Sequence, residues 1–237
     1  MSKHASTEDQ NFIYGGMDPR DFPRYSYAEA ARATGVPATT IAAWVRGQDY
    51  ATKGGKEFFK PVIERPGEGR LSFYNLIEVH VLRSLRTKHA VRLQHVREAA
   101  AVAEAEYNIP KLLLSEELRF GAGELFLQQY GRIVQLSRAE QLVLQNVLNA
   151  NLNRIEFGEG GLPRDFSPLE RLTQSGRKLI LVSPTISFGR PIVRRLGITT
   201  RAIADRINIG ESAAQLCEDY GLESDELTEA LAYESAA

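Results

Sequence analysis

The side chains able to coordinate a metal or attack a substrate are few in this sequence and scattered along it. They are four histidines and one cysteine, at His4, His80, His89, His95 and Cys217. No histidine stands at a metal-ligand spacing from a cysteine, aspartate or glutamate, and a single thiol excludes an internal disulfide. Gly158-Glu-Gly-Gly161 lacks the lysine and the helix that follow in a phosphate-binding loop. The sequence therefore predicts no catalytic site, no metal and no cofactor.

Cationic side chains offer a different chemistry, because they bind phosphates and release counterions as they do so. Residues 20–97 contain 14 Lys and Arg against 7 Asp and Glu, whereas residues 208–237 contain 8 acidic residues and no basic one. This basic segment, residues 20–97, is called the front below, and its charge suits a phosphate-bearing partner. The acidic end suits a basic partner or the front of the same chain. Surface charge placed only for solubility is the alternative for both.

Two short helices joined by a glycine turn are predicted within the basic segment. Ser26-Tyr-Ala-Glu29 is a capping box that starts the first helix, and Gly35 ends it because a positive φ is easy there. The second helix is predicted over 38–46 and ends at Gly47. This arrangement has the size of a helix-turn-helix, although an ordinary helical hairpin in a larger core is the alternative.

The second helix of such a unit enters the major groove, where its first polar residues contact base edges. Thr39 and Thr40 are therefore the candidates for base contacts, and Arg46 lies at the far end, near phosphates. Ile41 and Trp44 share a face that we expect to be core.

A basic hairpin is predicted over 48–71, followed by long helices over 73–88 and 93–107. The hairpin and the residues just after it carry the cations that we expect to contact phosphates, which are Lys53, Lys56, Lys60 and Arg70. A solvated hairpin is the alternative. The apolar face of the two long helices is wide, and we expect it to form a dimer contact.

Arg70-Leu-Ser-Phe-Tyr74 and Val96-Arg97-Glu98 follow the hairpin in an order similar to the winged helix-turn-helix of the MerR family. The resemblance implies a wing that binds the DNA backbone. Trp44-Val-Arg46 replaces the family's tyrosine-rich end of the recognition helix, and the hairpin is longer than usual.

The middle of the chain is predicted to be a small α/β region. The segment 124–136 is interpreted as a hairpin with its turn near Tyr130-Gly131. A helix is predicted over 138–148, and strands over 155–157 and 178–182.

The end of the chain is predicted to form three short helices, over 199–207, 211–219 and 223–233. With Gly189-Arg-Pro-Ile-Val-Arg194 before them, they resemble the small C-terminal module of unassigned function in VapB-type antitoxins. The resemblance implies a toxin partner, a PIN-fold ribonuclease in this family. Hydrophobic anchors supply affinity at such interfaces, and the candidates are Ile207, Leu216, Tyr220 and Leu231. Some of the four must instead form the module's own core, and the sequence does not sort them.

The expected fold class is mainly α with a minor β component. The expected organisation is a flexible arm (1–19), a winged helix-turn-helix (20–109), an α/β middle (110–183) and a helical module (184–237). We expect a cytoplasmic homodimeric antitoxin, without a membrane span, that binds operator DNA as an autorepressor. A MerR-like regulator with a small-molecule sensor in its middle region is the alternative.

Overall fold

The computed structural model describes residues 14–52, 55–64, 67, 69–85, 93–168, 172–173 and 176–236. It is mainly helical with short antiparallel strand pairs, so the expected fold class is confirmed. No helix in these ranges is both long and apolar enough to cross a membrane. The predicted division into an arm and three domains remains a proposal.

The front of the chain folds as its local signals predict. Helix α1 (Tyr27–Thr34) has the reciprocal Ser26–Glu29 capping box and ends at Gly35 with φ 70°. Helix α2 (Ala38–Arg46) follows, and then strands β1 (Gln48–Thr52) and β2 (Gly55–Phe59). The two strands pair from Gln48 opposite Phe59 to Thr52 opposite Gly55. Long helices α3 (Phe73–Leu85) and α4 (Leu93–Tyr107) come next.

Helix α3 forms the centre of the core. All its side chains are buried apart from the half-buried Glu78 and Arg83, and it packs against α1, the 3₁₀ turn Leu112–Leu114 and a later helix, α6 (Arg138–Leu152). The apolar face of α3 is therefore covered by the chain's own helices and cannot make the predicted dimer contact, whereas a dimer contact through α4 stays a prediction.

The hairpin predicted over 124–136 is also wrong. This segment lies in helix α5 (Gly121–Ile133), which packs against α4 and α6. Gly131, interpreted as a turn residue, is buried within the helix, where an added Cβ would lie 2.7 Å from the Gln141 side chain. The glycine therefore allows close packing of α6 and does not mark a turn.

Two strand pairs follow the helical middle. Strands β3 (Ile155–Phe157) and β4 (Pro163–Phe166) are antiparallel, as are β5 (Ile180–Leu181) and β6 (Ile192–Val193). A bridge between Phe166 and Val182 connects the two ribbons. The three predicted tail helices are confirmed as α7 (Thr200–Asn208), α8 (Ala213–Tyr220) and α9 (Ser224–Ser235).

The C-terminal segment from residue 184 onward, called the tail below, packs directly onto the front. The Tyr25 hydroxyl donates to the Gly189 carbonyl at 3.0 Å, across 164 positions of sequence. Gly189 has φ 68°, and any side chain at this position would collide with the Tyr25 hydroxyl. The glycine of the Gly-Arg-Pro segment is thus required both by its own backbone and by the front of the chain.

Candidate nucleic-acid interface

One face of α2 points outward. Thr39 and Arg46 are exposed at its two ends, and Ala42 and Ala43 are half-buried between them. These positions follow the i, i+3, i+4, i+7 spacing of a single helix face. Ile41 and Trp44 lie on the opposite face with 0% and 4% of their surface exposed, so the prediction that they are core is confirmed.

The sequence interpretation missed the two alanines of this face, although the helical spacing from Thr39 identifies them. Their small side chains allow the backbone to approach a groove closely, and a methyl group suits the methyl of thymine. Thr40, the other candidate for base contacts, is half-buried beside the face. Thr39 is therefore the better placed of the two threonines.

Arg46 is held in place by an aromatic ring. Its guanidinium lies 5.0 Å from the centre of the Tyr27 ring, and a cation–π contact of this kind orients a side chain that stays charged and exposed. A positively charged group is thus fixed at the C-terminal end of α2.

The base of the β1–β2 wing is fixed to the end of α2. The backbone amides of Val62 and Ile63 both donate to the Trp44 carbonyl, at 2.7 and 3.1 Å, and Ile63 is buried. Lys60, just before this anchor, is exposed. Lys53 and the side chain of Lys56 lie outside the described residues, so their predicted phosphate contacts stay predictions.

Arg70 lies beside a backbone bridge that connects the segment before α1 to the segment after the wing. Tyr25 and Leu71 pair as an antiparallel bridge, and the Arg70 Nη1 donates to the Arg24 carbonyl at 2.6 Å. The side chain is otherwise exposed. The structure thus brings Arg70 close to the start of α1.

The acidic tail is largely neutralised within the chain. Glu226 is paired with Arg195 at 2.7 Å and is 2% exposed, and Glu234 is paired with Arg32 at 3.1 Å. The Glu229 carboxylate accepts hydrogen bonds from the Leu172 and Thr173 amides. Further ion pairs hold the carboxylates of Glu211, Asp219, Glu223 and Asp225. Little of the tail's negative charge is left for a partner.

The four predicted partner anchors are not equivalent. Leu216 is 0% exposed, so it belongs to the module's own core and is corrected from an anchor to a core residue. Ile207, Tyr220 and Leu231 are half-buried, and the Tyr220 ring lies 4.8 Å from the Arg206 guanidinium. The structure adds Ile209, which the sequence interpretation missed and which is 77% exposed.

His80 is a buried neutral histidine. Burial lowers its pKa to about 4, against the raising effect of a hydrogen bond with Asn151. Its Nε2 lies 3.0 Å from the Asn151 carbonyl oxygen. Across the described residues, no group of three or more His, Cys, Asp and Glu side chains is placed to hold a metal ion.

Two family models match the chain. One, described as "Putative DNA-binding HTH domain", matches residues 23–100. The other, described as "Protein of unknown function (DUF433)", matches residues 180–233. The first covers the helix pair, the wing and α3, and the second covers β5 to α9.

Two curated relatives come from Mycobacterium tuberculosis (strain ATCC 25618 / H37Rv). "Putative antitoxin VapB45" is 24% identical over 229 residues, which are 89% of this chain and 93% of that protein. "Uncharacterized protein Rv2308" is 26% identical over 224 residues, 88% and 89% of the two chains. The chain resembles VapB-type antitoxins with an N-terminal helix-turn-helix. The resemblance expected from the sequence is thus confirmed, and it supports an antitoxin and DNA-binding role.

One solved structure has the same fold. The X-ray crystal structure of Rv2018 from Mycobacterium tuberculosis matches with a TM-score of 0.64 and 22% identity, over 89% of this chain and 98% of that one. The match covers front, middle and tail together.

Proposed function

We propose that this protein is the antitoxin of a toxin–antitoxin pair, a non-catalytic regulator that binds its own operator DNA as a homodimer and represses it. It also neutralises a toxin of the PIN-type ribonuclease class. The observation that carries the proposal is the position of the helix-turn-helix match, residues 23–100, on the part of the chain where Arg46, Lys60 and Arg70 are exposed. The relative's name supports the toxin partner.

The DNA contact follows from the exposed face of α2. Thr39 and the two alanines enter the major groove, while Arg46, Lys60 and Arg70 contact the flanking phosphates. With Arg46 on a phosphate, Thr39 is the one side chain of this face left to hydrogen-bond to a base, so phosphate contacts supply most of the affinity. Two copies of the chain supply two half-sites.

The toxin contact is proposed on the turn between α7 and α8. Ile209 is 77% exposed there, with the half-buried Ile207 and Tyr220 on the adjoining helices. An exposed apolar anchor contributes more affinity than a carboxylate already paired within the chain. We therefore assign the affinity to this apolar group and not to the net charge of the tail.

Removal of the whole tail is a poor test of this surface. Residues 184–237 include the buried Ile192, Val193 and Ile203 and the Gly189 carbonyl that Tyr25 contacts. Their deletion would strip core from the rest of the protein, so loss of activity would not locate the partner.

The substitution Ile209→Asp is the sharper experiment. Co-expression with the toxin encoded beside this protein should show lost growth protection and lost co-purification, with an unchanged melting temperature and unchanged DNA binding. Leu142→Asp is the matched control, because Leu142 is 57% exposed on α6. Full protection by the Ile209→Asp variant would place the toxin contact elsewhere.

The operator contact is tested separately by titrating the full chain with its upstream DNA at several salt concentrations. Binding should weaken steeply as salt rises. Absence of binding at low salt would refute the DNA-binding half of the proposal without affecting the toxin half.

A regulator that responds to a small molecule remains the second candidate. The observation in its favour is a cleft of about 380 Å³ between the front and the tail. Apart from Val182, the residues that line this cleft lie outside the middle region in which the sequence placed the sensor.

A further inference from the structure

Three arginines from distant parts of the sequence converge on the cleft between front and tail. Arg24 precedes α1, Arg190 follows the 3₁₀ turn Ser187–Gly189, and Arg201 lies in the first turn of α7. The cleft has a volume of about 380 Å³, which lies within the roughly 300–1,000 Å³ typical of small-molecule sites.

The carboxylates of the cleft are already occupied. Glu29 accepts from the Ser26 amide and hydroxyl in the capping box, each at 2.8 Å. Glu234 accepts from Arg32 at 3.1 Å and from the Thr200 hydroxyl. Glu29 keeps its charge, because its donors are neutral, whereas Glu234 is paired with Arg32. Four arginines, Arg32 included, thus line the cleft with only two carboxylates, which leaves an excess of positive charge.

The converging arginines lack strong partners. Neither Arg24 nor Arg190 forms an ion pair with a described residue. The Arg24 guanidinium lies 5.3 Å from the centre of the Tyr25 ring, and its Nε is buried without a hydrogen-bond partner. Among the described residues, Arg201 is bonded only to Asp205, one turn along the same helix, in a pair whose side chains are 70% and 53% exposed. Exposed pairs of this kind are weak, so an incoming anion can displace Asp205.

The chemistry of the ligand follows from the donors. Guanidinium groups match carboxylate and phosphate oxygens, but only a phosphate presents three acceptor oxygens to three converging arginines. Apolar walls formed by Ala33, Val182 and Pro191 line the same cleft, which gives space to an organic group.

We propose that this cleft binds a small organic phosphate and that the ligand holds the tail against the front. A ligand bound by both parts stabilises their docked arrangement by mass action. The site does not depend on the proposed antitoxin role, because none of its arginines belongs to the α2 face or to the α7–α8 turn.

The test measures binding of ribose 5-phosphate and AMP to the full chain by calorimetry and by thermal shift. Both should bind and raise the melting temperature, while adenosine, which lacks the phosphate, should do neither. Arg190→Gln should weaken ribose 5-phosphate binding roughly tenfold or more, since a charged hydrogen bond is lost. Arg190 is exposed, so this variant should fold. Arg24→Gln should have a similar effect on binding.

Arg138→Gln is the matched control, because it removes the same charge from an exposed position on α6. The proposal is overturned if neither phosphate compound binds, if adenosine binds as well as AMP, or if the control loses as much affinity as Arg190→Gln. Binding of inorganic phosphate without any gain for the organic phosphates would identify an adventitious ion only.

Duplex DNA also carries phosphates, so it is the last ligand tested. If Arg190→Gln weakens binding to duplex DNA as much as it weakens binding to ribose 5-phosphate, the arginines serve DNA and the proposal fails. We expect duplex binding by this variant to be unchanged.

Discussion

At the front of the molecule, Lys60 and Arg70 are exposed and form no ion pair with a described residue, whereas at the tail Glu226 is 2% exposed and bonded to Arg195. The two ends carry opposite net charges in the sequence, yet most carboxylates of the tail are paired with arginines of the same chain. Segment charge indicates a partner only when the charged groups lack partners inside the fold. The comparison therefore favours phosphate binding at the front and apolar recognition at the tail.

A large effect is expected from breaking the pairing in the tail. Glu226→Gln removes charged hydrogen bonds from a buried carboxylate and should destabilise the protein by about 1–3 kcal/mol; the cost is limited because Arg195, which is left without its carboxylate, is half-exposed to solvent. Asp205→Asn, in the exposed Arg201 pair, should change stability by no more than about 0.5 kcal/mol. Denaturant unfolding measures both. Equal effects would mean that the tail's charges are not held internally as described.

The same pair predicts how acid acts on the tail. Burial raises the pKa of Glu226, but the hydrogen bonds from Arg195 outweigh this and leave the pKa lowered from 4.5. A lowered folded-state pKa contributes stability above about pH 4.5 that is lost as the pH falls through the folded value. The Glu226→Gln variant should therefore show a smaller loss of stability below pH 4.5 than the unsubstituted protein.

The buried imidazole of His80 gives the next effect, in the core that both ends share. Its folded-state pKa is about 4, against an ordinary value of 6.5, so the unfolded chain binds a proton that the folded chain does not. The contribution is fully present above pH 6.5 and lost towards pH 4, by about 3 kcal/mol. Unfolding of His80→Gln between pH 7 and pH 4 should lack this component. The same pH profile in both proteins would contradict it.

Local signals predicted most helices, and long-range contacts explain what they could not predict. The Ser26–Glu29 capping box and Gly35 are local, and both were identified correctly. Gly131 was misinterpreted because the packing of Gln141 that requires a glycine there comes from another helix. Leu216 and Ile209 are both apolar residues of the tail, and only the fold makes one core and the other exposed.

The site was predictable to the same extent. Helical spacing places Thr39 and Arg46 on one face, and the basic hairpin follows in sequence. The cleft between front and tail was not predictable, because Arg24 and Arg190 are brought together only when Tyr25 packs on Gly189. Pairing of the tail carboxylates likewise depends on arginines as distant as Arg32, which is 202 positions from Glu234.

Removal of single cations from the front should have a moderate effect on DNA binding. Lys60→Gln and Arg70→Gln should each weaken binding on any sequence and lower the slope of log affinity against log salt by about one unit. Arg138→Gln, a cation of the middle region, is the control and should leave the slope unchanged. Fluorescence anisotropy at several salt concentrations measures this. An unchanged slope in both front variants would show that these exposed cations do not contact DNA phosphates, and the proposed difference between front and tail would then be wrong.

The smallest expected effect separates the two threonines of α2. Thr39 is exposed on the outward face and Thr40 is half-buried beside it, so Thr39→Val should remove about 1 kcal/mol of discrimination between operator and unrelated DNA. Thr40→Val should remove less, and neither substitution should alter the salt slope, because neither removes a phosphate contact. Competition binding with operator and scrambled duplexes measures the ratio. A larger loss for Thr40→Val would show that α2 enters the groove on its other side, and it would move the reading face from Ala42 and Ala43 towards the residues around Thr40.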